Sequence, residues 1–176
     1  MMIDKYDTFL INIKGLHSRR TRFRLNKTLK MMHLIHQPQF SLNKYQSHTV
    51  LEVQIPKQQL PYLISYLSFH NYEIFQILRE KDHKGLINPD HTFKSPKRFE
   101  IGILGIQDAY IKDKAIDILN YFQHHHDLQY LINERTISVQ CQTDIYVSLI
   151  QTLATQHLDI NQANFLKRSL AHSKIS

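Results

Sequence analysis

The sequence predicts an α+β fold in which one strand-helix-strand-strand-helix-strand unit is used twice. Three observations carry this. The stretch "FLINIKGLHS" (9–18) returns ninety positions later as "FEIGILGIQD" (99–108). Both copies alternate apolar residues with period two, the mark of a strand with one buried face. Each then reaches a glycine, an apolar residue and a polar residue suited to an N-cap, Ser18 and Asp108.

Taken in order, the elements repeat. After the first strand comes a helix whose buried stripe is Leu25, Leu29 and Met32 in one copy and Ala115, Leu119 and Phe122 in the other, with Ile118 beside them. The i, i+4, i+7 spacing is helical. Two short strands joined by a turn follow, in "FSLNKYQSHTVLEVQIP" (40–56) and "YLINERTISVQCQ" (130–142), the second turn reading four residues shorter. A second helix places Leu60, Leu63, Ile64 and Leu67 against Tyr146, Leu149, Ile150 and Leu153. The closing strands are "EIFQILRE" (73–80) and "ANFLKRSL" (163–170). This order is the split βαβ, or ferredoxin-like, unit: a four-stranded antiparallel sheet with two helices on one face. The expected division is 1–80 for the first unit, 81–97 for a polar linker holding Gly85, Pro89 and Pro96, and 98–176 for the second. A single mixed α/β domain with coincidental similarity is the alternative.

Composition sets the class. With 42% apolar residues in 176, the chain can bury a real core and should not be disordered. Its one cysteine, Cys141, rules out an intramolecular disulfide framework and points to a reducing compartment. The N-terminal "MMIDKYDTFLINIKGL" has an acidic start and too short an apolar run for a signal peptide. No run approaches the ~18–20 apolar residues of a membrane span. A cytoplasmic protein without a membrane partner is the expectation.

The net charge of +7 is local. No Asp or Glu occurs from Thr8 to Leu51, while that stretch carries Lys14, Arg19, Arg20, Arg22, Arg24, Lys27, Lys30 and Lys44. Arginines around a helix N-terminus, with free backbone N–H groups nearby, suit phosphate or carboxylate. Arg20, Arg24 and Lys27 fall at spacings of four and three, a ridge beside the buried stripe. The candidate anion-binding set is Arg19, Arg20, Arg22, Arg24 and Lys27, and the expected partner is nucleic acid or an acidic protein. A solvated basic face is the competing reading. The second copy lacks the feature, since Asp113 and Asp117 sit among its lysines.

A strand ending in apolar-x-apolar-x-Gly-apolar before a loop and helix resembles the heavy-metal-associated domains of copper chaperones and metal-pumping ATPases. The resemblance spans about 9–78 and 99–166 and implies tandem ferredoxin-like units. The CxxC that holds a soft ion in those domains is absent: the loops read "GLHSRR" and "GIQDAY". Cys141, matching Ile55, reads as a small buried hydrophobe. Two further families share the topology. Acylphosphatases are similar in "TRFRLNK" (21–27) and "SLNKYQSHTV" (41–50), which nominates Arg24 and Asn43, but "LHSRRTR" lacks the glycines of a phosphate-wrapping loop. ACT domains bind amino acids between paired units, and the likeness is to topology alone. A sequence-specific RNA reader would stack bases on strand aromatics; Tyr45 and Tyr130 form no such pattern. No nucleophile-His-Asp arrangement or nucleotide-binding glycine loop is evident, so a non-enzymatic binding or regulatory protein without a cofactor is expected. A homodimer stays open.

The histidine run in "NYFQHHHDLQYL" (120–131) invites a metal reading, with His124 and His126 as the candidate ligands. Adjacent side chains at a helix end point about 100° apart and do not chelate one ion as they stand. His36 aligns with His126 in the first copy. The run reads better as a landmark for the turn after the first helix of the second copy.

Overall fold

The computed structural model describes residues 5–166 except His36 and Thr92. The elements run β1 (Tyr6–Ile13), α1 (Arg19–Lys30), β2 (Gln39–Tyr45), β3 (His48–Pro56), α2 (Leu60–Phe69) and β4 (Ile74–Arg79). They continue as β5 (Lys97–Ile103), α3 (Ala109–His125), β6 (Gln129–Ile132), β7 (Thr136–Cys141), α4 (Thr143–Thr155) and β8 (Ile160–Phe165). A 3-10 segment over Glu80–Gly85 opens the connection between β4 and β5.

The fold is mixed α+β with one antiparallel eight-stranded sheet, in the order β2-β3-β1-β4-β8-β5-β7-β6. Separate four-stranded sheets are therefore not what forms. The halves meet where β4 lies antiparallel to β8, with Ile77 opposite Ala163. All four helices pack on one face. Leu25 and Leu29 of α1, Leu63 of α2, Leu119 of α3 and Leu149 of α4 belong to one core with Phe9, Ile11, Val53, Phe99, Ile101 and Val139. These strand residues alternate along their strands, as period-two burial requires.

Local chemistry explains the repeated turn. Gly15 and Gly105 have φ of 82° and 75°, a left-handed conformation that side chains strain to adopt. At Gly105 a Cβ would also stand 2.7 Å from Ile111 Cδ1. The register shift of β1 against β4 at Asn12/Ile13 recurs between β5 and β8 at Gly102/Ile103. The N-caps differ: Asp108 accepts from the N–H groups of Tyr110 and Ile111, whereas the Ser18 side chain makes no capping bond.

Three expectations shift. The second β-β turn is not the shorter one: 133–135 joins β6 to β7 and 46–47 joins β2 to β3, and the shortening lies in the strands, β6 and β7 having 4 and 6 residues against 7 and 9 in β2 and β3. The last strand begins at Ile160 rather than Ala163, and positions 167–170 lie outside the described residues. Its amide-rich "INQANF" hides a strand that is central to the sheet, flanked by β4 and β5. The connection after β4 is also more than a linker. Leu86 packs with Leu10, Val50 and Leu78 on the helix-free face of the sheet.

The seam between halves is aromatic above and polar below. On the helix side, Tyr146 stacks on Phe99 at 3.8 Å between centroids and meets Phe75 edge-on at 6.3 Å. Next to it α2 packs against α4, where Gln151 Nε2 donates to Ser68 O at 3.2 Å and Asn71 Oδ1 at 2.9 Å. On the opposite side the buried Gln76 donates to Asn164 Oδ1 and Gly85 O, both at 2.9 Å. Its Oε1 accepts from Asn12 Nδ2 at 2.9 Å and Ile87 N–H at 3.0 Å. One side chain thus ties together both halves and the connection.

Candidate nucleic-acid interface

Helix α1 turns Leu25, Thr28 and Leu29 to the core. The opposite side of a helix that buries these three is centred on Phe23, since successive residues advance about 100°. Phe23 is 74% exposed, an unusual position for a large aromatic on the wet face of a helix. Arg19, Arg20 and Lys27 lie one turn away from it, and Lys30 two turns away. All four cations are exposed. Among the described residues the ion pairs are Lys14–Glu73 and His17–Asp90, and neither involves α1.

The five arginines and lysines singled out in the sequence divide three ways. Arg19, Arg20 and Lys27 gather around Phe23. Arg22 turns toward a cleft of about 240 Å³ that it lines with Leu16, His17, Lys44, Ser47 and Asp90. Arg24 lies over the ring of Tyr72, 4.9 Å from its centroid. Tyr72 shares a hydrogen bond of 2.9 Å with Thr28, so Arg24 is braced against the fold. The ridge of Arg20, Arg24 and Lys27 is therefore split.

Phe23 escaped the sequence reading, although it lies two residues before Leu25 and hence about 200° away on the helix, a signal present in the pattern. Asp90 also escaped, and for a different reason: it reaches the cleft from 75 residues beyond Gly15. The corresponding cleft in the second half is lined by Ile106, Gln107, Lys112, Ile132, Asn133 and Glu134. There the surroundings are mixed in charge.

The chain matches no protein-family model, no curated protein and no solved structure.

The other candidate residues stand apart. Arg24 lies on the helix side, whereas Asn43 on β2 donates to Glu52 Oε2 at 2.9 Å. Glu52 sits opposite Leu10, whose side chain belongs to the helix-free face, so the sheet separates Arg24 from Asn43. Tyr45 also donates to Glu52, at 2.7 Å, and this bond, with burial, pushes the Tyr45 phenol up to about 12. Cys141 is fully buried, and desolvation raises its thiol to about 12.

His124 and His125 are the last residues but one and the last of α3, and His126 is its extended C-cap. His125 Nδ1 lies 2.8 Å from Tyr121 O, and the His126 N–H donates to Phe122 O at 2.8 Å. Among the described residues, no three His, Cys, Asp or Glu gather where they could hold a metal ion. His36, the counterpart of His126, lies outside the described residues. No described helix is long and apolar enough to cross a membrane.

A larger cavity of about 520 Å³ opens between the halves. Lys14, Glu73 and Phe75 line it from the first half, and Gln142, Thr143 and Asp144 from the second. Thr143 Oγ1 is buried there without a hydrogen-bond partner.

Proposed function

We propose that the protein is a non-enzymatic nucleic-acid-binding module, and that α1 lays its exposed face along a single strand. The carrying observation is Phe23, exposed at the centre of Arg19, Arg20, Lys27 and Lys30 on a helix with no acidic residue. Base-aromatic stacking and backbone cations are the two terms that single-strand binders combine. A flat helix face suits an extended polyanion better than an enclosed ligand. The scaffold we infer is two ferredoxin-like units, 1–80 and 98–176, fused edge to edge through 81–97. The repeated element order and the mirrored strand order support it. The resemblance to heavy-metal-associated domains then rests on topology, without their metal chemistry.

The test is fluorescence anisotropy with a labelled oligothymidylate. Four phosphate contacts predict a log-log salt slope of about −3. Phe23→Ala should weaken binding by roughly 1–3 kcal/mol and leave that slope unchanged. Arg19→Ala with Arg20→Ala should flatten it. If polyglutamate competes as well as the oligonucleotide and Phe23→Ala changes nothing, an acidic protein is the better partner and the nucleic-acid reading fails.

A second reading has its own support. The cavity between the halves, with charged groups of both signs and an orphaned Thr143 hydroxyl, suits an ACT-like site for a small amphoteric molecule. A thermal-shift screen of free amino acids tests it; a flat response across all of them removes it.

A further inference from the structure

The cleft beside the loop between β1 and α1 already holds an anion, and that anion belongs to the chain. Asp90 Oδ1 accepts from the Gly15 N–H at 3.3 Å, and Asp90 Oδ2 lies 2.9 Å from His17 Nδ1. That N–H belongs to a glycine in the left-handed region, at the loop where β1 hands over to α1. Arg22 and Lys44 line the same cleft, and neither forms an ion pair among the described residues. The seat thus attracts more negative charge than one carboxylate brings.

Resting on the nucleic-acid reading above, we propose that this cleft receives the terminal phosphate of a strand lying on α1, and that the Asp90 carboxylate is the stand-in it displaces. Three features favour a terminal phosphomonoester over a phosphate inside the strand. The cleft, at about 240 Å³, falls below the ~300–1,000 Å³ of ligand pockets and has room for one compact group. It is concave, with Ile13 and Leu16 on its apolar wall, so a continuing chain would have to turn back out. A phosphomonoester also carries about −1.5 to −2 charge near neutrality, against −1 for a diester or a carboxylate. The His17 and Asp90 side chains are 72% and 33% exposed, and an ion pair so open to water contributes little, which makes Asp90 a displaceable occupant.

The second half shows what the fold does without such a seat. At the same place it has Gln107 for His17 and Lys112 for Arg22, with Glu134 on the neighbouring turn. Of its charged lining residues, Lys112 and Glu134 balance.

The experiment compares 5′-phosphorylated and 5′-hydroxyl forms of one oligothymidylate on the full chain. Wild type should prefer the phosphorylated form, and Asp90→Asn should widen the preference about tenfold. Asp90→Asn with Arg22→Ala should abolish it. Asp117→Asn makes the same charge change on exposed α3 and should leave the preference as in wild type. If Asp90→Asn strengthens both forms equally, Asp90 acts only through net charge and the seat is refuted. Should neither oligonucleotide bind, the strand reading on α1 falls, and thymidine 5′-monophosphate decides the seat separately by calorimetry. Saturable binding to Asp90→Asn that is lost with Arg22→Ala upholds it, and no heat of binding overturns it.

Discussion

The two halves share a plan and differ where it meets solvent. Ninety positions after Arg19, Arg20, Phe23, Lys27 and Lys30 stand Ala109, Tyr110, Asp113, Asp117 and Asn120. The aromatic at the centre of the α1 face is thus replaced by a carboxylate on α3, and a flanking lysine by another. The buried stripes are alike because both must cover the same sheet. The exposed faces are under no such demand, so their difference reports on use. The helix starts make the same point. Asp108 caps α3 with two hydrogen bonds, which is good for a helix. Helix α1 begins with two arginines, has no acid in its first turn and lacks a side-chain cap. Cations there oppose the helix dipole by several tenths of a kcal/mol each, a cost that a bound anion would offset.

The comparison can be broken at its joint. Tyr146 stands where the first half has Leu60, and it is fully buried between Phe75 of one half and Phe99 of the other. Tyr146→Ala should cost about 3–5 kcal/mol in denaturant melts. Its hydroxyl is buried without a partner, and burial pushes its phenol upward. Tyr146→Phe should therefore be neutral or stabilising by about 1 kcal/mol; a loss above 2 kcal/mol would point to a partner for that hydroxyl. Gln76→Ala removes the side chain that joins the halves and the connection. It should cost roughly 3 kcal/mol, because Ile87 N–H loses its acceptor and the Asn12 amide keeps only Ile87 O.

The comparison can also be tested by transplant. Writing α3's surface onto α1, as Arg20→Tyr, Phe23→Asp and Lys27→Asp, should weaken oligonucleotide binding about 100-fold, near 2.7 kcal/mol. The circular dichroism spectrum should stay unchanged. Equal binding by the triple variant would place the interface elsewhere. The smallest effect concerns the cap. Ser18→Asp should stabilise the protein by about 0.5–1 kcal/mol while weakening the oligonucleotide, because stability and binding compete for one helix end. If both improve together, the end of α1 is not part of the interface.

What the sequence disclosed follows physical lines. Period-two runs and helical stripes were legible because burial writes them directly, from Phe9, Ile11 and Ile13 to Leu149, Ile150 and Leu153. The glycines were legible because Gly15 and Gly105 both take left-handed backbone. Strand β8 was half hidden, since Asn161, Gln162 and Asn164 make it read as polar, and the partner of Asn164, Gln76, lies 88 residues away. The basic face was visible in composition, but its division was not. Only tertiary contact sends Arg24 to Tyr72 and Arg22 to the cleft. Asp90 was invisible because its partners are distant in sequence.

The pairing of β4 with β8 has a consequence for stoichiometry. It occupies, within one chain, one edge strand of each half, leaving β2 and β6 as the outer edges. A symmetric pair of identical subunits would carry two identical basic faces. Because β4 and β8 run antiparallel, the corresponding ends of the halves point in opposite directions, and only one of them is basic. One chain should therefore engage one strand, with a defined polarity.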